Sequence, residues 1–329
     1  MAQQTASRLS SHLIDFVAID AGNRDIKFTG RNGRPHKIPS YVKQLEPSHG
    51  TVRTNRFSVL VTVDGKRYAI GEKAKTLGGA PTFLNNKSKI ANLLVLPAIE
   101  PFQGSELPLV INKLILTLPD SRNSENMAFL KSLEGTKTII REGVEITFTV
   151  NKVVIIDECY GAYKFAIDQS LYQKPGRING IIDIGGGTSL AKLFMPDGDI
   201  ITSASVKLPG TDGLAQSIAF LLVPRLGYEP ALDLIMDGIG DRTYELGETG
   251  NNFKAEFLKA LEPWSEDIRK MIRAKWHPFY DRLSEVLITG GSAPLVKSFE
   301  EQTKGRFKVI ANHVFASVNG MAIIGGEND

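Results

Sequence analysis

Ile181-Ile182-Asp183-Ile184-Gly185-Gly186-Gly187-Thr188 is an apolar run that ends on a carboxylate and then enters three successive glycines. Such a run costs backbone entropy and returns no side-chain packing. It is explained when backbone amides must line a concavity that receives an anion. A second copy of the pattern lies upstream, where Phe16-Val17-Ala18-Ile19 leads into Asp20-Ala21-Gly22-Asn23-Arg24-Asp25-Ile26-Lys27. Each aspartate is followed by a return strand and a glycine turn, Asn32-Gly33 in the first copy and Asp197-Gly198 in the second. Asn-Gly and Asp-Gly between apolar runs are hairpin signals.

Outward from these hairpins, strands and helices alternate in both halves. Strands are expected at 57–63 and 67–70 around Asp64-Gly65, at 114–118, 137–140, 144–150 and 152–156, and helices at 88–99, 123–133 and 158–170. Beyond the break at Lys174-Pro175-Gly176, strands are expected at 178–184, 189–195, 199–208, 285–288 and 307–310. Helices are expected there at 214–226, 254–275, 293–303 and 316–324. Each half closes on an apolar strand feeding a glycine-bearing helix, around Gly161 and Gly320. The pattern is a weak internal repeat and argues for two α/β domains.

The composition agrees. A chain of 329 residues suggests about two domains at ~150 residues each, and 42% hydrophobic with 23% charged residues is an ordinary globular balance. A net charge of +3 is no nucleic-acid footprint. The lone Cys159 and five scattered histidines exclude an intrachain disulfide and a cysteine-based zinc site. The opening MAQQTASRLSSHLID has no apolar core of a secretory signal. No apolar stretch reaches the ~18 residues of a membrane span. A soluble, cytoplasmic protein is expected, with residues 1–14 a flexible arm.

Four places carry chemistry. A carboxylate beside a glycine hairpin can hold Mg²⁺ through water, so Asp20 and Asp183 are candidate metal acids, and Lys27 can neutralise phosphate. Asp20-x-Gly22 taken alone reads as an ordinary turn. Leu287-Ile288-Thr289-Gly290-Gly291-Ser292 admits a flat ring against backbone at a helix start, or is a plain strand-to-helix turn. Glu158 either stabilises a helix N-terminus or orients a water for γ-phosphate attack, with Asp157 the competing acid. Arg269, Lys270, Arg273 and Lys275 share their helix with Glu262, Glu266 and Asp267 and read as a solvated face. Trp264, Met271, Ile272 and Trp276 read as core, Arg31–Arg34 as an exposed turn, and Cys159 as packing filler.

Taken in order, these motifs resemble the actin-type ATPase superfamily over residues 15–326. DAGNRDIK is similar to its first phosphate motif, IIDECYGAY to its first connecting helix and IIDIGGGT to its second phosphate motif. LITGGSAPLV is similar to its adenosine motif and VNGMAIIG to its second connecting helix. The asparagine of DAGN, the lone connecting-helix glutamate and a chain ending after the second connecting helix most resemble bacterial ParM-like plasmid-partition actins. The cell-shape actins carry Glu-Pro-x-Ala-Ala where this chain has Asp157-Glu158-Cys159-Tyr160-Gly161. Arg24-Asp25 departs from the small residues of many relatives.

The resemblance implies two similar actin-like (ribonuclease-H-like) domains with a nucleotide cleft between them. Domain I is expected at 15–175, completed by 316–329, and domain II at 176–315. It implies ATP (or GTP) with Mg²⁺ linked to Asp20 and Asp183. Phosphate contacts fall on Gly22, Asn23, Lys27, Gly185, Gly186, Gly187 and Thr188, with Glu158 polarising the water. Gly290, Gly291 and Ser292 would flank the adenosine, and Asp212 and Gln216 would form the other wall of the base pocket. The implied activity is ATP hydrolysis coupled to filament formation. Its partners are further copies of the chain and a DNA-binding adaptor, with no direct nucleic-acid contact. The other reading is a small-molecule kinase of the same superfamily.

Overall fold

The computed structural model describes residues 11–82, 87–102 and 107–327, with backbone alone at 87–89. It divides into one unit of residues 1–157 and 321–329 and a second of 158–320. Of the expected arm, residues 1–10 lie outside the described residues.

In chain order the first unit contains β1 (His12–Ala21), β2 (Asp25–Thr29), β3 (Pro35–Pro39), β4 (Tyr41–Leu45), β5 (Ser58–Val63), β6 (Lys66–Gly71), α1 (Glu72–Thr76), β7 (Ala80–Pro81), α2 (Lys87–Leu94), β8 (Leu109–Leu118), α3 (Ser124–Lys131), β9 (Gly135–Arg141) and β10 (Val144–Asp157). They form a ten-stranded sheet in the order β3-β2-β1-β8-β10-β9-β5-β6-β4-β7. Residues 12–14 are strand rather than arm. His12 N–H donates to Pro108 O at 2.9 Å, and the His12 and Phe102 rings stack at 4.0 Å. Parallel pairing with β8 runs from His12–Leu109 to Ile19–Leu116. The two strands expected at 144–150 and 152–156 are one, because β8 pairs in parallel with β10 from Phe148 to Asp157.

The second unit contains α4 (Tyr160–Asp168), β11 (Ile178–Asp183), β12 (Thr188–Phe194), β13 (Val206–Pro209), α5 (Thr211–Leu226), α6 (Leu232–Gly240), α7 (Lys254–Trp276), β14 (Leu283–Thr289), α8 (Ser298–Gln302) and β15 (Phe307–Val309). Helix α9 (Ala316–Gly326) begins in this unit, and its residues from Met321 onward belong to the first. The sheet order is β13-β12-β11-β14-β15. This repeats β3-β2-β1-β8-β10 strand for strand: two antiparallel pairs, then two parallel ones. Strands β4 to β7 and β9 extend only the first sheet. Strands β11 and β14 are the central strands, and their buried apolar runs are Ile181-Ile182 and Val286-Leu287-Ile288.

Core packing in the second unit is built by Ile182, Leu193, Leu214, Ile218, Leu222, Ile268 and Trp276, all 0% exposed. The opposite face of this sheet carries α4, whose Tyr163 ring stacks on Phe194 at 4.2 Å. Helices α4 and α9 cross backbone to backbone there. A Cβ placed on Gly320 would sit 1.6 Å from the carbonyl oxygen of Gly161, so the crossing requires glycine.

Several expected elements change. The strand at 199–208 shortens to β13, because Thr202–Ala204 forms a 3₁₀ turn whose Ala204 carbonyl accepts from Trp276 Nε1 at 2.8 Å. The helix at 293–303 is a 3₁₀ turn, Ala293–Val296, followed by α8. The helix at 88–99 is α2 followed by a 3₁₀ turn at Leu96–Ala98, where Pro97 supplies no N–H. Trp264, Ile272 and Trp276 are core at 6, 2 and 0% exposure, but Met271, at 39%, is not. Arg269 is bridged to Glu262 at 3.1 Å, to Glu266 and to Gln302, and Lys270 lies 3.8 Å from Asp267. The basic face is therefore an ion-paired one.

Candidate functional site

The first hairpin is held open by hydrogen bonds outside its tip. Ser40 N–H donates to Arg24 O at 2.7 Å, and Thr82 Oγ1 donates to Asn23 O at 3.2 Å. The two hydroxyls bond each other at 2.8 Å. With its carbonyls turned to this side, the Asn23 amide and side chain have no hydrogen-bond partner among the described residues. Asp20 and Lys27 are directly opposed across β1 and β2. Their carboxylate and ammonium meet at 3.3 Å, each side chain nearly buried. Asp25, the departure from the family pattern, is occupied by Lys37 at 3.1 Å.

The second hairpin shows the same arrangement in stronger form. Thr211 and Asp212, the first residues of α5, donate their amides to Gly185 O at 3.0 Å and Gly186 O at 2.8 Å. Gly185 N–H is taken by Ser189 Oγ at 3.2 Å. The carbonyls of the loop thus point to α5, while the amides of Gly186 and Gly187 donate to no acceptor among the described residues. Successive unpaired amides of this kind are an anion nest.

The turn after β14 joins the same cluster. Ser292 N–H donates to Ile184 O at 3.0 Å, and the Thr211 and Ser292 hydroxyls lie 2.6 Å apart. Gly290 takes φ +94° and presses against Asp183. Its N–H donates to His313 O at 2.8 Å, and its carbonyl lies 2.7 Å from His313 Nδ1. Gly185 to Thr188, Asp212 and Gly290 to Ser292 are therefore brought together within this unit. Burial pushes the Asp212 carboxyl above its usual range, against the Gly213 N–H bond that pulls it down. Gln216 lies elsewhere: exposed, it lines a groove of about 640 Å³ between α5 and α7 with Gly213, Ser217, Phe220 and Trp264.

Glu158 is not in a first helical turn. It sits half-buried in the turn between β10 and α4, one residue before Cys159, which caps α4 in the left-handed region at φ 74°. Neighbouring Asp157 is engaged by Ser121 Oγ at 2.5 Å. Cys159 is fully buried. Burial pushes its thiol well up, Asp183 and Glu158 push the same way, and Lys192 opposes them. Thr211, Ser189 and His313 escaped the sequence reading. Thr211 and Ser189 directly follow Gly210 and Thr188 and were within reach of a spacing argument. His313 lies in no motif.

The donors present are hard oxygens, and no group of three or more His, Cys, Asp or Glu able to hold a metal occurs among the described residues. That suits a strongly hydrated divalent cation carried in on phosphate, and not a protein-caged metal. No helix of the described residues is long and apolar enough to cross a membrane.

Comparison with known proteins bears on the fold. Residues 18–161 match the family described as actin-like proteins, N-terminal domain. No curated protein matches the sequence. Among solved structures, the archaeal actin homologue Ta0583 aligns at 19% identity and TM-score 0.74, over 94% of this chain and 98% of that one. It has also been solved in complex with ADP, which aligns at 17% identity and TM-score 0.74. A ParM filament from Clostridium botulinum aligns at 17% and 0.74 over 94% and 98% of the two chains, and the actin-like protein Alp7A at 17% and 0.73 over 95% and 96%. Residues 18–161 thus match an actin-like N-terminal domain, and the chain has the fold of these actin homologues.

Proposed function

We propose that this chain binds and hydrolyses ATP with Mg²⁺ and uses the cycle to control its own assembly into filaments. The observation that carries the reading is the second hairpin. Two adjacent glycine amides have no protein acceptor there, beside a carboxylate and a helix start, which is a receptor for phosphate oxygens. The repeated five-strand order, with an acidic hairpin in the same place in each unit, supports the same anion-receiving role for each hairpin. The solved ADP complex of one structural neighbour and the filament of another support nucleotide binding and self-assembly.

Asp20 and Asp183 are the acids that would hold Mg²⁺ through water, and the cation would neutralise phosphate charge when bound. The Asn23, Gly186 and Gly187 amides and the Lys27 ammonium receive phosphate oxygens, as do Gly22, Gly185 and Thr188. Gly290, Gly291 and Ser292, with Asp212 opposite, take the nucleoside. Glu158 accepts the proton side of the attacking water, with Asp157, which accepts from Ser121, the competing acid. Loss of the γ-phosphate removes contacts and destabilises the assembled form. A DNA-binding adaptor as cargo link, and a cytoplasmic plasmid-partition role, complete the proposal.

The test is light scattering and electron microscopy of purified protein with Mg²⁺ and ATP, GTP or ADP. Scattering that rises and then decays as ADP accumulates supports the reading. ADP release that needs an added small-molecule acceptor, with the phosphoryl group passed to that acceptor and no scattering, refutes it in favour of a kinase.

A further inference from the structure

Lys192 lies on β12 and is 3% exposed. A buried lysine costs several kcal/mol unless an acid accompanies it, so its position in the sheet matters. On the antiparallel β11–β12 ladder Asp183 opposes Leu190, and Ile181 opposes Lys192. With a side-chain period of two, Lys192 shares a face with Leu190 and stands diagonal to Asp183. This is the face turned toward α4. The fully buried Cys159 lies on this face too, its thiol 3.8 Å from Leu190 O, and Asp183, Lys192 and Glu158 all act on that thiol. The first hairpin offers the precedent within this chain. There the return-strand lysine, Lys27, lies opposite the acid and pairs with it at 3.3 Å.

We propose that Lys192 is the positioning residue of the second hairpin, a buried ammonium that pairs with the Asp183 carboxylate and aims it at the phosphate site. The inference rests on the nucleotide reading for its consequence, though not for the ion pair itself. Asp183 alone, at the edge of an apolar sheet, would turn toward any donor within reach. The lysine under it fixes one orientation. The repeat thus conserves an acid–lysine couple in both hairpins, shifted by two residues along the return strand. Residues under a binding site that orient its acids typically change affinity 10- to 100-fold when removed.

The experiment is a double-mutant cycle on the full chain, with Lys192→Met, Asp183→Asn and both together, and Lys192→Arg as the charge-keeping control. In nucleotide-free protein, chemical unfolding should show strong coupling: each single variant destabilises, and the double variant is no worse than the poorer single one. Additive effects overturn the pairing. In titrations with a fluorescent ATP analogue and Mg²⁺, Lys192→Met should weaken binding at least tenfold and Lys192→Arg much less. Wild-type affinity in Lys192→Met overturns the positioning role. Absence of binding by the wild-type protein overturns the nucleotide reading and the aimed-carboxylate role with it, and the unfolding cycle tells that failure apart from a wrong pair.

Discussion

Alanine at position 290 should unfold the second unit at markedly lower temperature, while alanine one residue later should not. Gly290 holds φ +94°, a region that costs an L-residue about 1–2 kcal/mol. A Cβ there would lie 2.3 Å from Asp183 Oδ1 and 2.4 Å from Ile184 O. Ile184 O is backbone and receives the Ser292 amide, and Gly290 is held on both sides by His313. Overpacking of this kind adds about 1–3 kcal/mol, for a total of about 2–5 kcal/mol. At ~2–4 °C per kcal/mol for a unit of this size, the melting temperature falls by on the order of 10 °C. Gly291 has no atom within 4 Å of the same added carbon, and Gly291→Ala should stay within about 0.5 kcal/mol of the parent. Scanning calorimetry on the two variants, without nucleotide, gives the answer. Equal melting of Gly290→Ala and Gly291→Ala would refute the claim that this turn is wedged against Asp183.

Three further outcomes are expected. Glu158→Gln should keep nucleotide affinity and slow phosphate release by about 10²–10⁴-fold, or about 3–5 kcal/mol of barrier, whereas Asp157→Asn should perturb mainly stability through the lost Ser121 bond; the reverse pattern in a phosphate-release assay would exchange their roles. Asp212 has a carboxyl pushed up by burial, so the native state holds its proton to higher pH than the unfolded chain, and stability is lost as pH rises from the ordinary aspartate range through the raised value. Asp212→Asn should therefore raise the melting temperature near neutrality, with the difference closing below about pH 4, and a gain that persists in acid would point to another cause. Cys159 should resist a thiol reagent in the native protein and react fully in denaturant, because burial disfavours the thiolate; rapid native labelling would contradict its burial.

The sequence located both acidic hairpins because their signal is local. An apolar run, a carboxylate and glycines within eight residues suffice to mark a strand entering an anion-receiving turn, and the same holds for the Gly290-Gly291 turn and for α5. Long apolar runs such as 178–184 and 114–118 were legible because both faces of the strand are buried. Elements whose identity depends on distant partners were not. Strands β3 and β4 are five-residue stretches that mix polar and apolar residues and exist through pairing with β2 and β6. The 3₁₀ turn at Thr202–Ala204 replaces a strand because a tryptophan seventy residues away claims its carbonyl.

What the amino-acid order determined by itself was therefore the repeat, the two α/β halves and the candidate acids, each written in neighbouring residues. Tertiary structure alone decided which amides stay unpaired, since that depends on Thr211 and Asp212 capturing the loop carbonyls across the turn. It also decided that Asp157 is spoken for by Ser121 and that Gln216 lines a groove between α5 and α7. Hydrogen bonds and ion pairs are short-ranged in space but not in sequence, and only folding brings their partners within reach.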